Sequence, residues 1–332
     1  MHGKTGISGA IVTINVGWSR SQSRLANPFA PIVPELLVTA ALRIFHGDSD
    51  STPSLRVGSR LDKYRLLRRL GEGGFATVFS AVDTIEDRKV ALKIPDSRFV
   101  SNTQTMDDMQ REVRIMAKLQ HPGVLTLKDA RFIDGYFVIV SPLGDETLAD
   151  RITRRLARAT CVQYIHQMVD AVAYAHENRV LHRDIKPENF ILFPDSEIRL
   201  TDFGLARLES GAHEVSASGT LGYMAPEQAM GKPTFRSDVF SLGLIMYRML
   251  AGELPEYPFA APLPGYQKLR RGLSSDFVKL IRKAIDPTPS KRFRDAVAMN
   301  NALQKIRSPL SDRSATSRGA AKNNRGSTRR VA

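Results

Sequence analysis

The chain has 332 residues, 42% of them apolar and 25% charged, and its formal net charge is +14. This composition is typical of a globular protein that can bury a sizeable core. The single cysteine, Cys161, excludes an intrachain disulfide framework and favours a reducing compartment, while its position in a helical pattern predicts a buried thiol. Because no run approaches the ~20 apolar residues that span a bilayer, we expect a cytoplasmic protein.

The first part of the chain predicts a small lobe rich in β-strands. Residues 1–58 contain several prolines and no strong periodicity, so we expect a poorly ordered N-terminal extension. Apolar residues at helical spacing predict a helix over 107–119. Short runs rich in β-branched residues, broken by glycine or charged turns, predict antiparallel strands. The predicted strands are 64–70, 77–82, 89–94, 125–129 and 136–141.

From about residue 147 onward, helical patterns dominate. Apolar residues mark one face of 160–177, with Thr160 as the predicted N-cap, and 239–250 reads as a buried core helix. Residues 307–332 carry seven Lys and Arg against one Asp without apolar spacing, which predicts a basic, disordered tail. We therefore predict an α+β domain over 59–306, with an N-lobe at about 59–141, a C-lobe at about 146–306 and a ligand cleft between them.

The segment between the first two strands of this domain is rich in glycine. Glycines let a backbone approach phosphates closely and adopt conformations that a Cβ forbids. Alone, such a segment fits an ordinary hairpin turn equally well. It reads Gly71-Glu72-Gly73-Gly74-Phe75-Ala76-Thr77-Val78.

A lysine, Lys93, lies in the apolar strand 89–94. A buried lysine costs free energy unless its ammonium group finds a partner. Glu112, on the predicted helix 107–119, can be that partner, and such a pair can hold the α- and β-phosphates of ATP. The alternative interpretation is a solvent-facing lysine and an unrelated surface glutamate.

The strongest chemical signal is the loop His182-Arg183-Asp184-Ile185-Lys186-Pro187-Glu188-Asn189. Asp184 can orient an incoming hydroxyl and accept its proton, and Lys186 can neutralise a γ-phosphate. Asn189 can bind a metal ion. A chance occurrence of these residue types at this spacing is very improbable.

A second candidate metal ligand, Asp202, begins the tripeptide Asp202-Phe203-Gly204 after the strand-like run 198–200. A hairpin between Asn189 and Asp202 would return both oxygen ligands to one place. Mg²⁺ prefers one or two protein oxygens, completed by phosphates and water. The sequence therefore predicts a Mg²⁺ site at Asn189 and Asp202.

Together these segments resemble the eukaryotic-type, or Hanks-type, protein kinase superfamily over roughly residues 64–306, and in particular bacterial Ser/Thr protein kinases. Two later features agree: 219–227 resembles the segment that receives the substrate peptide, and Arg292 resembles the arginine that pairs with its glutamate, here Glu227. Ala76 departs from the family signature, which has a third glycine there. The resemblance implies a bilobed α+β fold with ATP in the cleft.

The resemblance also implies individual roles around ATP and Mg²⁺, with Mn²⁺ as an alternative ion. Val78, Ala91 and Ile191 would enclose the adenine, and the hinge residue Leu143 would donate its N–H to the adenine edge. Thr220 would hydrogen-bond Asp184 and Lys186 in the loop 182–189. The implied nucleotide-binding residues are Gly71, Glu72, Gly73, Gly74, Phe75, Ala76, Val78, Ala91, Lys93, Leu143 and Ile191, and the implied catalytic residues are Lys93, Glu112, Asp184, Lys186 and Thr220.

The implied activity is transfer of the γ-phosphate of ATP to Ser and Thr hydroxyls of proteins, the kinase itself included. The position of Lys186 resembles Ser/Thr rather than tyrosine kinases. Arg183 resembles the arginine of family members that are switched by activation-loop phosphorylation, which points to Ser216 and Ser218. Solvated loop serines without a regulatory role are an equally open interpretation of these two residues.

Three other classes of protein share some of these sequence features. A pseudokinase predicts damage in at least one of Lys93, Asp184, Asn189 and Asp202, yet all four are intact. A small-molecule kinase on a related fold generally lacks the peptide-receiving segment. A nucleic-acid binder is suggested only by the basic tail, which has no aromatic residue for stacking on bases, so we expect no specific nucleic-acid binding. The tail suits an acidic partner or an anionic surface.

Overall fold

The computed structural model describes most of the region expected to fold. Most of the predicted extension 1–58 and of the predicted tail 307–332 lies outside it, so both boundaries stay predictions. Within the described helices, the side chains of 103–105, 108 and 112 are left out, as is that of 221. The described residues are 55–73, 76–96, 103–203, 221–259 and 261–310.

The N-terminal part of the described chain is an antiparallel sheet. Its strands are rich in β-branched and aromatic residues, which pack well on a pleated surface with one buried face. The strands are β1 (Arg60–Leu61), β2 (Tyr64–Glu72), β3 (Ala76–Asp83), β4 (Arg88–Pro95), β5 (Asp129–Ile133) and β6 (Tyr136–Pro142).

Among the described residues, these strands are ordered β1-β2-β3-β4-β6-β5. In β4, Leu92 and Ile94 are buried in the core of the sheet, whereas Ala91 and Lys93, on the opposite face, are only partly buried. Val78 of β3 lies directly opposite Lys93. Because cross-strand partners share a face, these three partly buried residues form one surface turned away from the sheet core.

The predicted strand 125–129 is wrong. The strand β5 begins at Asp129, and Val124 makes only an isolated bridge to Leu200. The Leu125 N–H donates to the Leu200 carbonyl at 2.8 Å, and Val124 belongs to the C-terminal core. A buried apolar connection and a short strand share the same sequence pattern, which is why periodicity could not separate them.

The C-terminal part is mainly helical and surrounds a larger apolar core. The predicted core helix over 239–250 is confirmed, since most of its side chains are fully buried. A small sheet of β7 (Glu146–Thr147), β8 (Phe190–Phe193) and β9 (Glu197–Leu200) adjoins the helices. The helices of the described chain are α1 (Thr103–Lys118), α2 (Leu148–Arg151), α3 (Arg158–Glu177), α4 (Pro226–Ala229), α5 (Phe235–Ala251), α6 (Tyr266–Arg270), α7 (Ser275–Ala284) and α8 (Ala296–Gln304).

Helix α3 begins earlier than predicted. Its N-cap is Ala157, which makes no side-chain capping bond, so the assignment of Thr160 as N-cap is wrong. Cys161 is buried in this helix, as predicted, and burial raises the pKa of its thiol to about 11. A thiol that stays protonated at neutral pH is a packing group and not a nucleophile.

Helix α1 connects the two cores. Met106 and Met109 pack with Phe137 and Ile139 beside the sheet, whereas Met116, near the helix end, joins the C-terminal core. The helix therefore packs on both parts of the fold. No helix in the described ranges has both the length and the apolar character needed to cross a membrane.

Candidate active site

The β8–β9 hairpin brings the two candidate metal ligands together. Phe190 pairs with Leu200 in the hairpin, and the Thr201 N–H donates to the Asn189 carbonyl at 2.9 Å. Asp202 follows directly, so it leaves the hairpin beside Asn189. The hairpin predicted from the spacing of these residues is therefore present.

Asp184 is the centre of a hydrogen-bonded cluster. The Asn189 side-chain Nδ2 donates to the Asp184 carbonyl at 2.7 Å and to its Oδ2 at 3.0 Å. The Lys186 Nζ lies 2.8 Å from the same Oδ2, and the Asp184 side chain is 15% exposed. An amide and an ammonium group thus orient a carboxylate that still reaches solvent, as a group that meets a substrate must.

Lys93 connects the N-terminal sheet to Asp202, which the hairpin places beside this cluster. Its Nζ lies 2.5 Å from Asp202 Oδ1, although 109 positions separate the two residues. Burial raises the pKa of the Asp202 carboxyl, but the charge of Lys93, the hydrogen bond that it donates and the charge of Lys186 lower it further, so the pKa lies below its ordinary value of 3.8. The carboxylate is therefore an anion at neutral pH.

A buried carboxylate, Asp238, holds the backbone of the loop 182–189. It accepts the N–H groups of His182 at 2.8 Å and Arg183 at 2.9 Å, and it contacts His176 Nε2 at 3.0 Å. Arg183 has a φ of 69° and Asp202 a φ of 63°. Non-glycine residues in this left-handed region cost about 1–3 kcal/mol each, so they persist only where surrounding bonds hold them. Asp238 supplies such bonds next to Asp184.

The ring of His182 is a packing group. It is buried, its Nε2 lies 2.8 Å from the Thr201 carbonyl, and its centroid lies 4.9 Å from that of Phe203. Its Nδ1 accepts the Asp184 N–H at 3.3 Å. The imidazole therefore joins the loop 182–189 to the segment that carries Asp202.

The predicted pair of Glu227 with Arg292 is confirmed. The guanidinium donates from two nitrogens to the two carboxylate oxygens, at 2.8 and 3.1 Å. Ser237 donates to Glu227 Oε1 at 2.7 Å, and the guanidinium lies over the Phe240 ring at 4.4 Å. This pair anchors α4, the helix at the end of the predicted peptide-receiving segment, to the C-terminal core.

The residues predicted to surround the adenine lie on elements next to this cluster. Val78 and Ala91 belong to the partly buried face of the N-terminal sheet that carries Lys93. Ile191, in β8, is partly buried and pairs with Thr147, and Leu143 directly follows β6. Their contacts with a nucleotide stay predictions.

The glycine-rich hairpin is described in part. Gly71 and Glu72 end β2, and the Gly73 N–H donates to the carbonyl of Ala76, the first residue of β3, at 2.9 Å. Glu112 lies in α1, but its side chain is not described, so its predicted pairing with Lys93 stays a prediction. The predicted residues that lie outside the described ranges are Gly74, Phe75, Gly204, Ser216, Ser218 and Thr220.

Sequence reasoning missed Gly144, in the connection between the lobes. A Cβ at this position would overlap the Cγ2 of Ile191 and lie 2.6 Å from the Leu192 carbonyl oxygen. The Asp145 N–H also donates to that carbonyl, at 2.8 Å. Gly144 therefore lets the connection lie against β8. A glycine between two predicted elements was the only available signal, and it predicts a turn just as well.

Comparison with known proteins agrees with this geometry. A family model described as "Protein kinase domain" matches residues 64–305. Serine/threonine-protein kinase PrkC of Bacillus subtilis is 34% identical over 207 residues, which are 60% of this chain and 32% of the relative. CBL-interacting serine/threonine-protein kinase 20 of Arabidopsis thaliana is 31% identical over 274 residues, which are 76% of this chain and 62% of the relative. The chain thus spans only part of the length of these curated relatives.

Solved structures show the same architecture. The Mycobacterium tuberculosis PknI kinase domain superposes with a TM-score of 0.58 at 25% identity, over 76% of this chain and 99% of that domain. The predicted α+β fold, with a β-rich N-terminal and a helical C-terminal part, is therefore confirmed. On the evidence of the matched domain, the superposed structure and the shared motifs, the chain belongs to the protein kinase family.

Proposed function

We propose that this chain is a protein Ser/Thr kinase that transfers the γ-phosphate of ATP to Ser and Thr hydroxyls of proteins, itself included. Its family generally uses ATP and a divalent metal and acts on protein substrates. One observation carries the proposal. Lys93 and Asp202, 109 positions apart, form an ion pair, and the β8–β9 hairpin places that pair beside the hydrogen-bonded group of Asp184, Lys186 and Asn189.

The oxygen donors of this cluster fit Mg²⁺. Asp202 is ionised, and Asn189 donates its amide nitrogen to Asp184, so the Asn189 Oδ1 is the atom of that amide suited to a cation. Mg²⁺ takes one or two protein oxygens and completes its shell with phosphates and water, and Mn²⁺ also favours oxygen ligands. Asp202 and Asn189 would hold the ion, which would offset the negative charge of the phosphates.

Asp184 is the residue that we assign to the acceptor hydroxyl. Its carboxylate, held by Asn189 and Lys186, would orient the hydroxyl and accept its proton. Phosphoryl transfer depends mostly on positioning and on charge stabilisation. The ammonium group of Lys186 lies beside Asp184 and is suited to the transferred phosphate, whereas Lys93, on the opposite lobe, is suited to the α- and β-phosphates.

The acceptor is assigned to Ser and Thr on two grounds. Lys186 stands two positions after Asp184, as in the Ser/Thr kinases that this chain resembles. The relatives named above also carry this specificity in their names. Val78, Ala91 and Ile191 would supply the apolar walls for the adenine, with the Leu143 N–H at its edge.

Incubation of the purified protein with γ-labelled ATP, Mg²⁺ and a panel of protein acceptors tests the proposal. We expect label on Ser or Thr, and a loss of about 10²-fold or more in the Asp184→Asn variant, because the amide cannot accept the proton. Asp134→Asn, in the exposed turn between β5 and β6, is the matched control and should leave the rate unchanged.

Two outcomes would contradict the proposal. Label found on tyrosine alone would assign the protein to another acceptor class. Nucleotide binding without transfer to any acceptor, in folded wild-type protein, would favour the pseudokinase alternative.

A further inference from the structure

The positive charge of this chain is concentrated in its last fifth. Residues 266–332 contain 17 Lys and Arg against four Asp, whereas residues 1–265 are nearly balanced, with 31 Lys and Arg against 30 Asp and Glu. Of these, 266–310 hold 11 Lys and Arg against three Asp. The basic character therefore belongs to the described segment 266–310 as much as to the tail.

A groove of about 610 Å³ lies on this basic part of the molecule, lined by residues of α7 and α8 and by the turns next to them. Its apolar lining residues are Leu280, Phe293, Ala302 and Ile306. Lys279 and Lys283 stand one turn apart on α7, on the same side of the helix. We call this feature the basal groove, and its basic lining residues are Lys279, Lys283, Lys305 and Arg307.

The charge of the basal groove is offset only weakly. Asp276 also lines it, and its Oδ1 lies 3.1 Å from the Lys279 Nζ, but both side chains are more than 70% exposed. Exposed pairs of this kind interact weakly. Lys283 lies over the Phe293 ring at 4.3 Å, which holds one ammonium group against the apolar lining.

We propose that the basal groove binds an acidic protein segment in which an apolar side chain is flanked by Asp or Glu. The basic lining residues favour an anionic ligand. The apolar lining residues favour a ligand that also carries an apolar side chain, which a protein segment has and the phosphate backbone of a nucleic acid lacks. A bilayer would need exposed apolar anchors. The large exposed apolar residues of the described chain all lie outside α6 to α8, at Val57, Leu70, Ile85, Phe132, Met230 and Tyr257.

The chain's own tail is not the occupant that we propose. It leaves the described structure after Leu310, close to the groove, because the Ser274 N–H donates to the Pro309 carbonyl at 2.9 Å. The 22 residues that follow carry six Lys and Arg against one Asp. Like charges repel, so the tail is not suited to fill the groove.

Binding measured without nucleotide tests this inference independently of kinase activity. The probe is a fluorescent peptide in which Asp and Glu flank single leucines, titrated with the full-length protein. Combined substitution of Lys279, Lys283, Lys305 and Arg307 by Gln should weaken binding about tenfold or more, because all four charges surround the ligand. Asp276→Asn should tighten binding, a gain that partial unfolding cannot produce.

The matched control removes four charges from the tail, by substituting Arg318, Arg325, Arg329 and Arg330 with Gln. We expect this tail variant to lose clearly less affinity for the peptide than the groove variant loses. The wild-type protein should also bind a peptide with Ser in place of Leu more weakly. Equal losses in both variants would overturn the inference. Tighter binding of phosphatidylserine vesicles or of DNA of equal charge would overturn it as well.

Discussion

At the scale of single residues, the most fully paired buried charge in the described chain is Arg292. Its guanidinium donates to the Glu227 carboxylate and to the carbonyls of Arg236, Asp286 and Pro287. Burial raises the pKa of Glu227, but Arg292 and Ser237 lower it further, so it lies below its ordinary value of 4.5. The pair therefore stabilises the fold only while Glu227 is ionised.

This direction gives a pH-dependent prediction for Glu227→Gln. Because the folded-state pKa lies below the unfolded value, the stabilisation is present above about pH 4.5 and is lost as the pH falls through the folded-state pKa. We expect the variant to lose about 3 kcal/mol of unfolding free energy near neutral pH, because it leaves the buried Arg292 charge unpaired. The difference from wild type should shrink in acid, as measured by urea unfolding across the pH range.

Glu253→Gln is the control for that experiment. Glu253 pairs with Lys268 at 3.3 Å, but the two side chains are 48% and 66% exposed. Water screens such a pair, so we expect a change below about 1 kcal/mol. A Glu227→Gln effect that did not vary with pH would contradict the assignment of an ionised buried pair.

At the scale of elements, strand β8 is in close contact with the segment that connects the two lobes. Gly144 lies against Ile191 and Leu192, in a space where a methyl group does not fit. β8 also leads from the catalytic loop, through the hairpin, to Asp202. A larger side chain at position 144 should therefore displace β8, which carries Ile191 of the proposed nucleotide site.

Gly144→Ala should displace β8, because the overlap with Leu192 involves backbone that cannot rotate away. We expect a loss of about 1–3 kcal/mol in stability, the usual cost of overpacking, together with a raised KM for ATP. Thermal unfolding and steady-state kinetics measure the two effects. In Gly71→Ala the new Cβ meets no atom within 4 Å, so its melting temperature should match that of wild type. Unchanged stability of Gly144→Ala would contradict the contact.

At the scale of the whole molecule, the described fold has one main apolar core on each side of the cleft. The N-terminal core is small and contains Leu92, whereas the C-terminal core is much larger and contains Leu200. The described contact between the two sides of the active site is the ion pair of Lys93 with Asp202. A ligand that contacts both residues should therefore stabilise both lobes together.

A non-hydrolysable ATP analogue with Mg²⁺ tests this expectation. At a concentration of about 100 times its Kd, a ligand specific for the folded state stabilises it by about 2.7 kcal/mol. We expect a higher melting temperature and slower hydrogen exchange in both β4 and β9. Lys93→Met should reduce both effects. Protection of one lobe alone would contradict binding in the cleft.

Local sequence was sufficient to predict most strands, the long helices and the candidate site residues that lie together in the structure. Lys93, Asp184, Asn189 and Asp202 stand in motifs whose spacing alone indicates their chemistry, because a loop or a hairpin fixes neighbouring residues relative to each other. The short-range contacts among Asp184, Lys186 and Asn189 follow directly from that spacing.

Other features depended on contacts between distant parts of the chain. Periodicity could not show that 125–128 is a connection from the C-terminal core to β5 and not a strand, nor that α3 begins at Arg158. The need for glycine at 144 and the gathering of Lys279 and Lys305 around one groove also depend on such contacts. Sequence alone determined which residues carry charge and chemistry, and tertiary packing decided which of them meet, because only packing brings distant residues within bonding distance.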